Sequence, residues 1–376
     1  MPWIPTACPM CYKTCHIQVL VENGRILNVR GNPESPLNST RICAKGKSVI
    51  AYPYNPNRLL YPVKRGNPKK GLNQDPQWER ISYKEAIGII RDRLLEIRNK
   101  YPHRLVIASM DMWATLMITA WASAFGTPNV KWTSFDYYCG NALHPVVYQM
   151  YGTFYDEPCF KYCKYLILVG NQIGFVAHTN AMVTTLECAE ARERGLKVVV
   201  IDPVGICTAA SKADEWIPIR PGTDGILALA MLNLLLNEYK IYDKEFLQKY
   251  TNGPYLIKED GHYLRDKASK KPLVWDLDAK EPRPFDEVAN PAIEGDFTFE
   301  NTKVKPAFQL LREHVKQFSV EEASKYTTVP ADTIRRLARE FGENAMIGST
   351  IEIEGEKFPY RPVAITYDKG IAHTNG

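Results

Sequence analysis

Two hydrophobic patterns alternate through the middle of the chain. Continuous apolar runs of four or five residues have the length of buried strands, and segments with apolar residues every three or four positions have the period of amphipathic helices. These patterns predict strands near 105–108, 130, 165–169 and 198–201 and helices near 82–97, 114–125, 144–151 and 181–194. Buried apolar strands that alternate with helices indicate parallel α/β sheets covered on both faces.

The pattern differs at the beginning of the chain. Residues 16–21 and 25–29 are alternating runs joined by Glu22-Asn23-Gly24, and Asn-Gly between such runs predicts a hairpin. Residues 51–80 are rich in Pro, Asn, Arg and Gly and have little periodicity, which is typical of a linker on a surface. A capping box from Ser82 to Glu85 then predicts the start of the first long helix.

The alternation stops at residues 252–304, which are polar and rich in Gly, Pro, Asp and Lys. We interpret this stretch as an insertion or a domain edge. Further helices are predicted at 306–318, from the capping box at Ser319 and from Pro330 to Phe341, and further buried strands at 345–348 and 363–366. No helix follows the last strand to cover it, so we expect a truncated chain.

Three turns carry candidate binding residues. Gly170-Asn171 and Asp202-Pro203 each follow a predicted strand, and ligands of open α/β sheets bind at the carboxyl ends of strands. Gly170 allows a phosphate to approach the backbone, and Asp202 can accept from a ribose hydroxyl or a base amine. Two ordinary strand-end turns remain the alternative, because the chain has no G-x-G-x-x-G. In Gly222-Thr223-Asp224, we expect Asp224 to cap a helix beginning near Gly225, and its carboxylate also matches the N–H donors of guanine.

Composition narrows the class of protein. The 376 residues are 45% hydrophobic and 24% charged, which fits a globular chain of two or three domains. A net charge of +5 without basic runs among aromatics predicts no nucleic-acid partner but suits an anionic cofactor. The longest apolar run, 226–236, is too short to span a membrane. Seven residues before Cys8 leave no room for a signal peptide, so a cytoplasmic location is expected if Met1 is the native start.

Nine cysteines in a cytoplasmic chain favour metal binding or catalysis over disulfides. Cys8, Cys11 and Cys15 are followed by Cys43, a three-plus-one grouping that suits an iron–sulfur cubane; from spacing alone, zinc and unrelated thiols remain open. Cys139 lies in a polar loop and is either a structural thiol or a ligand to a soft metal. The remaining cysteines are interpreted as buried thiols: Cys159, Cys163, Cys188 and Cys207.

Together, Cys-x2-Cys-x3-Cys, the later Cys-x-Lys-Gly, the lone Cys139 and the run from Asp202 to Asp224 resemble the molybdopterin oxidoreductase family of the dimethyl-sulfoxide-reductase type. The resemblance implies a [4Fe–4S] cluster and a bis(molybdopterin guanine dinucleotide) cofactor carrying Mo or W. It implies cluster ligation by Cys8, Cys11, Cys15 and Cys43, a catalytic role for Lys45 between cluster and pterin, and metal ligation by Cys139. The implied residues around the cofactor are Gly170, Asn171, Asp202, Pro203, Gly222 and Asp224.

The resemblance also implies an α/β architecture with an iron–sulfur domain and two doubly wound domains of mostly parallel sheets. The expected boundaries are 1–58 for the cluster domain, 59–136 with 305–376 for a split α/β domain, and 137–304 for an inserted α/β domain that binds the guanylate half. The chain is expected to stop before a C-terminal β-barrel-like domain and to be inactive alone.

The activity implied is a redox reaction at Mo or W on a small-molecule substrate, with the cluster passing electrons to an outside partner such as a ferredoxin-like subunit. Gly140 after Cys139 argues against formate as substrate. A non-redox hydratase or hydroxyl transferase of the acetylene hydratase type is the second hypothesis, although Tyr12 stands where that type has an Asp after the second cluster cysteine. A non-catalytic electron-transfer subunit is the third.

Overall fold

The computed structural model describes residues 2–11, 14–38, 40–108, 115–131, 140–153, 158–173, 182–206 and 208–367. The chain divides into two compact units. The first contains Met1–Asp156 and Ala177–Val183, and the second contains Glu157–Val176 and Thr184–Gly376.

The first unit begins with a small antiparallel sheet. Its elements are β1 (Trp3–Ala7), β2 (His16–Glu22), β3 (Arg25–Gly31), α1 (Ala44–Lys47), β4 (Val63–Arg65), β5 (Trp78–Arg80), α2 (Tyr83–Lys100), β6 (Ile107–Ala108), α3 (Thr115–Phe125), β7 (Val130–Lys131) and α4 (Gly140–Tyr151). The order β1-β2-β3 confirms the predicted hairpin. Asn23 and Gly24 both have positive φ (50° and 74°), as a tight two-residue hairpin turn requires.

The other predictions for this unit are confirmed only in part. Ser82 Oγ accepts from the Glu85 N–H at 3.1 Å, so the predicted start of α2 is confirmed. The segment predicted as a linker contains the antiparallel pair β4–β5, whose three-residue strands are too short to show a period. The predicted strand at 105–108 pairs only through Ile107–Ala108, in parallel with β7.

The second unit alternates strands and helices before and after a β-rich stretch. Its strands are β8 (Tyr165–Val169), β9 (Lys197–Ile201), β10 (Glu215–Ile217), β11 (Leu256–Lys258), β12 (Leu273–Asp276), β13 (Glu281–Pro284), β14 (Phe297–Phe299), β15 (Thr302–Pro306), β16 (Thr350–Ile353), β17 (Glu356–Pro359) and β18 (Val363–Tyr367). Its helices are α5 (Met182–Glu193), α6 (Thr208–Ser211), α7 (Asp224–Asn233, continued by a π-helical turn over Leu234–Glu238), α8 (Lys244–Tyr250), α9 (Ala307–Val315), α10 (Val320–Thr327) and α11 (Ala331–Asn344).

A four-stranded parallel sheet organises this unit, in the order β10-β9-β8-β18. Both of its faces are buried, as the continuous apolar strands predicted. Tyr165 and Ile167 of β8 pack into a core with α7, α10 and α11, while Leu166 and Leu168 pack on the opposite face with Cys188 of α5. The α/β architecture with a parallel sheet is therefore confirmed.

Three predictions in this unit have different outcomes. The strand predicted at 345–348 is wrong: Ala345 caps α11, and Met346 and Gly348 adopt positive φ in the turn that leads to the β16–β17 hairpin. Strand β10 was missed, because Glu215–Ile217 is short and alternates in polarity. The strand predicted at 363–366 is confirmed as β18, which pairs with β8. The domain boundaries that the resemblance implies stay a prediction.

A polar network joins α11 to the amino ends of three sheet strands. The Glu340 carboxylate accepts from the Tyr165 hydroxyl and the Lys197 ammonium, each at 2.8 Å. Arg336 donates to Glu340 at 3.1 Å and to Glu215 at 2.5 Å. Because Tyr165, Lys197 and Glu215 begin β8, β9 and β10, this network fixes the edge of the sheet opposite the candidate binding turns.

Candidate cluster and nucleotide sites

The first unit brings the four N-terminal cysteines of the sequence motif together. Cys8 and Cys15 are buried, and Cys11 and Cys43 are half-buried. The Cys8 N–H donates to the Cys15 carbonyl at 2.9 Å, and the Thr14 N–H donates to the Cys11 carbonyl at 3.3 Å. These bonds close the loop into a compact turn that carries three free thiols.

The thiols influence one another electrostatically. Burial raises the pKa of Cys8, and negative charge at Cys11 and Cys43 raises it further. Burial is also the main cause that raises the pKa of Cys15, followed by charge at Cys11, Cys8 and Cys43. Four thiolates this close repel each other unless cations lie among them, and the irons of a cubane would supply that positive charge.

Cys43 is oriented by the start of α1. It is the N-cap of this helix, and its Sγ accepts from the Gly46 N–H at 3.5 Å. A Cβ at Gly46 would lie 3.5 Å from Cys8 Sγ and 2.7 Å from the Ile42 side chain, so a larger residue would crowd the thiol group. Lys45 lies on the same short helix and is half-buried.

This donor set fits a cluster. In the part of the chain that the structure describes, no three His, Cys, Asp or Glu side chains converge on a single-ion position. A cubane differs from a single ion because each of its irons takes one thiolate, so the sulfurs lie around the cluster rather than around one point. Cys163 and Cys188 are buried as predicted, but Cys159 is exposed, so its prediction as a buried thiol is wrong. Cys139 and Cys207 lie outside the described residues, so the predicted role of Cys139 as a ligand of Mo or W stays a prediction.

The second unit places the candidate nucleotide residues at the carboxyl edge of its parallel sheet. Gly170 has φ +56°, a conformation that favours glycine, and its N–H donates to the Ile201 carbonyl at 2.9 Å. Asn171 is 1% exposed, and its Nδ2 donates to Thr366 Oγ1 at 3.2 Å. Its Oδ1 is buried and has no hydrogen-bond partner among the residues that the structure describes. A ligand donor at this position would satisfy an acceptor that is otherwise costly to bury.

Asp202 lies on the neighbouring strand end and is buried. Its Oδ1 accepts from the Val204 N–H at 2.8 Å, and its carbonyl accepts from Trp216 Nε1–H at 2.9 Å. The Trp216 ring packs directly on Gly205. Pro203 is exposed in the bend between Asp202 and Gly205. The sequence analysis missed Trp216 and Thr366. In the sequence, Trp216 lies in the run from Asp202 to Asp224 and Thr366 ends the strand predicted at 363–366. The structure places both in the same sheet as the predicted turns.

Asp224 is also buried, but its place in the helix differs from the expectation. The N-cap of α7 is Thr223, and Asp224 is the first helical residue. Burial raises the pKa of Asp224, and the nearby Asp202 carboxylate raises it further. Gly222, with φ +80°, makes the turn that leads into the helix. The chain thus brings two buried carboxylates near each other at this edge of the sheet.

This edge can accept several hydrogen bonds from one ligand. Asp202, Asp224 and the Asn171 Oδ1 are acceptors, and a base with adjacent N–H groups, such as guanine, offers the matching donors. The left-handed Gly170 leaves room for the backbone to approach a phosphate. The residues present therefore fit the guanylate half of a dinucleotide-like cofactor.

These features fit an iron–sulfur protein with an α/β region that has acceptors for a nucleotide. Residues 1–55 match the family model described as the molybdopterin oxidoreductase Fe4S4 domain, and residues 58–351 match the model described as molybdopterin oxidoreductase. The chain belongs to the molybdopterin oxidoreductase family. Membership in this family indicates a [4Fe–4S] cluster and a molybdopterin cofactor carrying Mo or W.

The relatives include enzymes with different reactions. A sulfite dehydrogenase subunit of Allochromatium vinosum is 32% identical over 402 aligned positions, which cover 99% of this chain and 40% of the relative. Acetylene hydratase of Syntrophotalea acetylenica is 31% identical over 67% of this chain and 34% of its own. The solved acetylene hydratase from Pelobacter acetylenicus has the same fold, with a TM-score of 0.65 at 23% identity, over 97% of this chain and 40% of that chain.

The chain therefore spans about 40% of the length of the first of these relatives. That relative is named as a subunit, which indicates that assembly with other chains occurs in the family. In the described ranges, we find no helix with the length and apolar character needed to cross a bilayer.

Proposed function

We propose that this chain is the cluster-binding and guanylate-binding part of the catalytic subunit of a Mo- or W-dependent oxidoreductase. The observation that carries the proposal is that one family member has both four clustered thiols and a buried edge of acceptors. At that edge, no described residue donates to the Oδ1 of Asn171. When bound, the metal would supply oxygen-atom or hydride-type chemistry on a small-molecule substrate, and the cluster would supply electron transfer.

The residues of this chain would hold and orient these groups. Cys8, Cys11, Cys15 and Cys43 would bind the cluster. In addition, Lys45 would place a positive charge between the cluster and the pterin, where it stabilises added electron density.

At the guanylate half, Asp202 and Asp224 would accept from the base, and Asn171 would accept one further donor through its buried Oδ1. Gly170, Pro203 and Gly222 would shape the turns around it. Cys139 would bind Mo or W.

Metal analysis of the protein that contains this chain tests the proposal. We expect iron together with Mo or W, and a metal signal that changes during turnover. Cys43→Ala should lower the iron content below that of the wild type, because one iron loses its ligand and the complete cubane is not retained. Cys159→Ala is the matched control, since Cys159 is an exposed thiol outside the four-cysteine set. Equal iron in the Cys43→Ala variant and in the wild type would exclude the ligand assignment.

A hydratase or hydroxyl transferase is the second candidate function, because acetylene hydratase is among the relatives. In that case the metal would act as a Lewis acid without changing its oxidation state. Tyr12 stands against this candidate, since a phenol replaces the carboxylic acid of the hydratase type. Turnover with no change in the metal's redox state would favour it. A preparation with iron but neither Mo nor W would instead favour a non-catalytic electron-transfer subunit.

The proposal has three further parts: a ferredoxin-like electron acceptor, a cytoplasmic location and three domains. The domain boundaries are 1–58, 59–136 with 305–376, and 137–304. Co-purification of the tagged protein tests the acceptor, cell fractionation tests the location, and limited proteolysis tests the boundaries. We expect a chain of residues 1–376 to have no turnover alone.

A further inference from the structure

A buried asparagine links the two segments that carry the third and fourth cluster cysteines. Asn38 lies in the loop between β3 and α1 and is 1% exposed. Its Oδ1 accepts from the His16 N–H at 3.0 Å, and its Nδ2 donates to the His16 carbonyl at 3.1 Å and to the Arg41 carbonyl at 2.8 Å. His16 directly follows Cys15, and Arg41 lies two residues before Cys43.

The Asn38 amide acts as a neighbouring strand residue would, because it donates to and accepts from the same backbone residue. Ser35 Oγ–H donates to Oδ1 at 2.9 Å, and the Asn38 N–H donates to Ser35 Oγ at 3.2 Å. Both N–H groups of the Asn38 Nδ2 therefore donate, and both acceptor positions of its Oδ1 are occupied. An amide that is saturated in this way has one orientation, so it fixes the distance between its partners.

Gly31 lets the same loop press against the sheet. A Cβ at this position would lie 2.5 Å from the Thr40 carbonyl carbon and 2.6 Å from the Arg41 oxygen. Backbone atoms cannot move aside as a flexible side chain can, so the loop before Cys43 lies directly on the end of β3. We call Asn38, Ser35 and Gly31 the loop clasp.

We infer that Asn38 is a positioning residue that holds the Cys43 segment against the Cys15 segment and thereby governs how firmly the iron at Cys43 is retained. The inference rests on the proposed ligation by the four cysteines. Asn38 itself bonds to backbone groups on both sides. Its contribution is to keep the fourth thiolate in place when the cluster is oxidised.

The relevant reaction is loss of one iron in air. In a protein that carries the cluster, dioxygen would take one electron from [4Fe–4S]2+ and become superoxide, and release of Fe2+ would leave [3Fe–4S]+, so charge and electrons balance. A Cys43 thiolate that is held less firmly makes the release faster. The product has an unpaired electron and is detected by electron paramagnetic resonance.

Asn38→Asp is the sharpest variant, because it keeps the size and the Oδ1 acceptor but removes both donations from Nδ2. Asn38→Ala removes the whole amide. Asn32→Ala is the matched control in the same loop, since the Asn32 side chain accepts from Gln18 and from the Glu34 N–H but does not bond to His16 or Arg41. The measurements are iron and acid-labile sulfide per chain, the rate of bleaching in air, and the [3Fe–4S]+ signal.

We expect Asn38→Asp to bleach about tenfold faster than Asn32→Ala, because both hydrogen bonds donated by Nδ2 are lost, and to give a larger [3Fe–4S]+ signal. Bleaching and iron content equal to those of Asn32→Ala would overturn the inference. If the Asn38 variants do not fold, Ser35→Ala tests the inference in their place. That variant leaves the amide in place but removes the hydroxyl that orients it; we expect intermediate bleaching, and a wild-type rate counts against the clasp.

Cys43→Ala separates this inference from the proposed function. If Cys43→Ala keeps its iron, the ligand assignment fails and the role of Asn38 fails with it. If Cys43→Ala loses iron while the Asn38 variants bleach like the control, only the clasp is refuted.

Discussion

The contact between Gly205 and Trp216 predicts a strong effect of one added methyl group. In Gly205→Ala, the new Cβ would lie 2.9 to 3.0 Å from three carbons of the Trp216 ring. Nonbonded carbons pack best at about 3.5–4.0 Å. Gly205 does not have a left-handed backbone, so the substitution acts by crowding alone.

The expected loss of stability depends on which atoms move to relieve the contact between the new Cβ and the Trp216 ring. Overpacking of this kind costs about 1–3 kcal/mol. If the indole shifts instead, its Nε1–H loses the 2.9 Å bond to the Asp202 carbonyl, a net loss of about 1 kcal/mol. Either route gives a fall in Tm of the order of 5 °C for a unit of this size. Because Asp202 belongs to the proposed guanylate site, we also expect less cofactor to be retained.

Thermal unfolding measured by circular dichroism gives the Tm, and the guanine nucleotide released by acid treatment gives the cofactor content per chain. Gly88→Ala is the control: it lies in α2 with nothing within 4 Å of its added Cβ, so Ala should be neutral or stabilising there. Trp216→Leu in the Gly205→Ala background should restore part of the Tm, because it removes the crowded ring atoms. An unchanged Tm and nucleotide content in Gly205→Ala would refute this explanation.

Two further predictions concern the second unit. Glu340→Ala should lower the free energy of unfolding by about 2 kcal/mol, because the fully buried Tyr165 hydroxyl loses its acceptor; Glu343→Ala on the exposed side of the same helix is the control, and equal values in denaturant titrations would contradict the prediction. Asp224→Asn should change the pH dependence of stability in the cofactor-free chain. Burial and Asp202 raise the folded-state pKa of Asp224, so the folded wild type binds this proton more tightly than the unfolded chain and gains stability as the pH falls. The Tm of Asp224→Asn minus that of the wild type should therefore decrease as the pH is lowered from 7.5 towards the ordinary pKa of an aspartate, about 4, and a constant difference would count against this coupling.

The two buried carboxylates also imply a balance between stability and binding. Asp202 and Asp224 lie near each other in a region with little solvent, which costs stability when no ligand is present. Donors of a bound base would offset that cost, so the cofactor and the fold of this edge stabilise each other.

Local features of the chain could be predicted from the sequence by itself, because their causes lie within a few residues. Asn23-Gly24 determines the hairpin turn, and the hydroxyls of Ser82 and Ser319 determine where two helices begin. The strand at 165–169 is confirmed in full because both of its faces are apolar. The cysteine spacing likewise favoured an iron–sulfur cluster, which the match of residues 1–55 to an Fe4S4 domain supports. The turns after the strands predict a nucleotide site, since those residue types carry the chemistry.

Only the tertiary structure decided which distant residues complete the sites. Thr366 meets Asn171 across 195 positions of sequence, Trp216 covers Gly205 and bonds to Asp202, and Asn38 joins His16 to Arg41. No period or motif records such contacts, because they arise when parallel strands and a folded-back loop bring separate segments together. The sequence by itself determined which chemistry this protein can hold, and the pairing of strands and the closing of one loop decided how its residues are positioned to hold it.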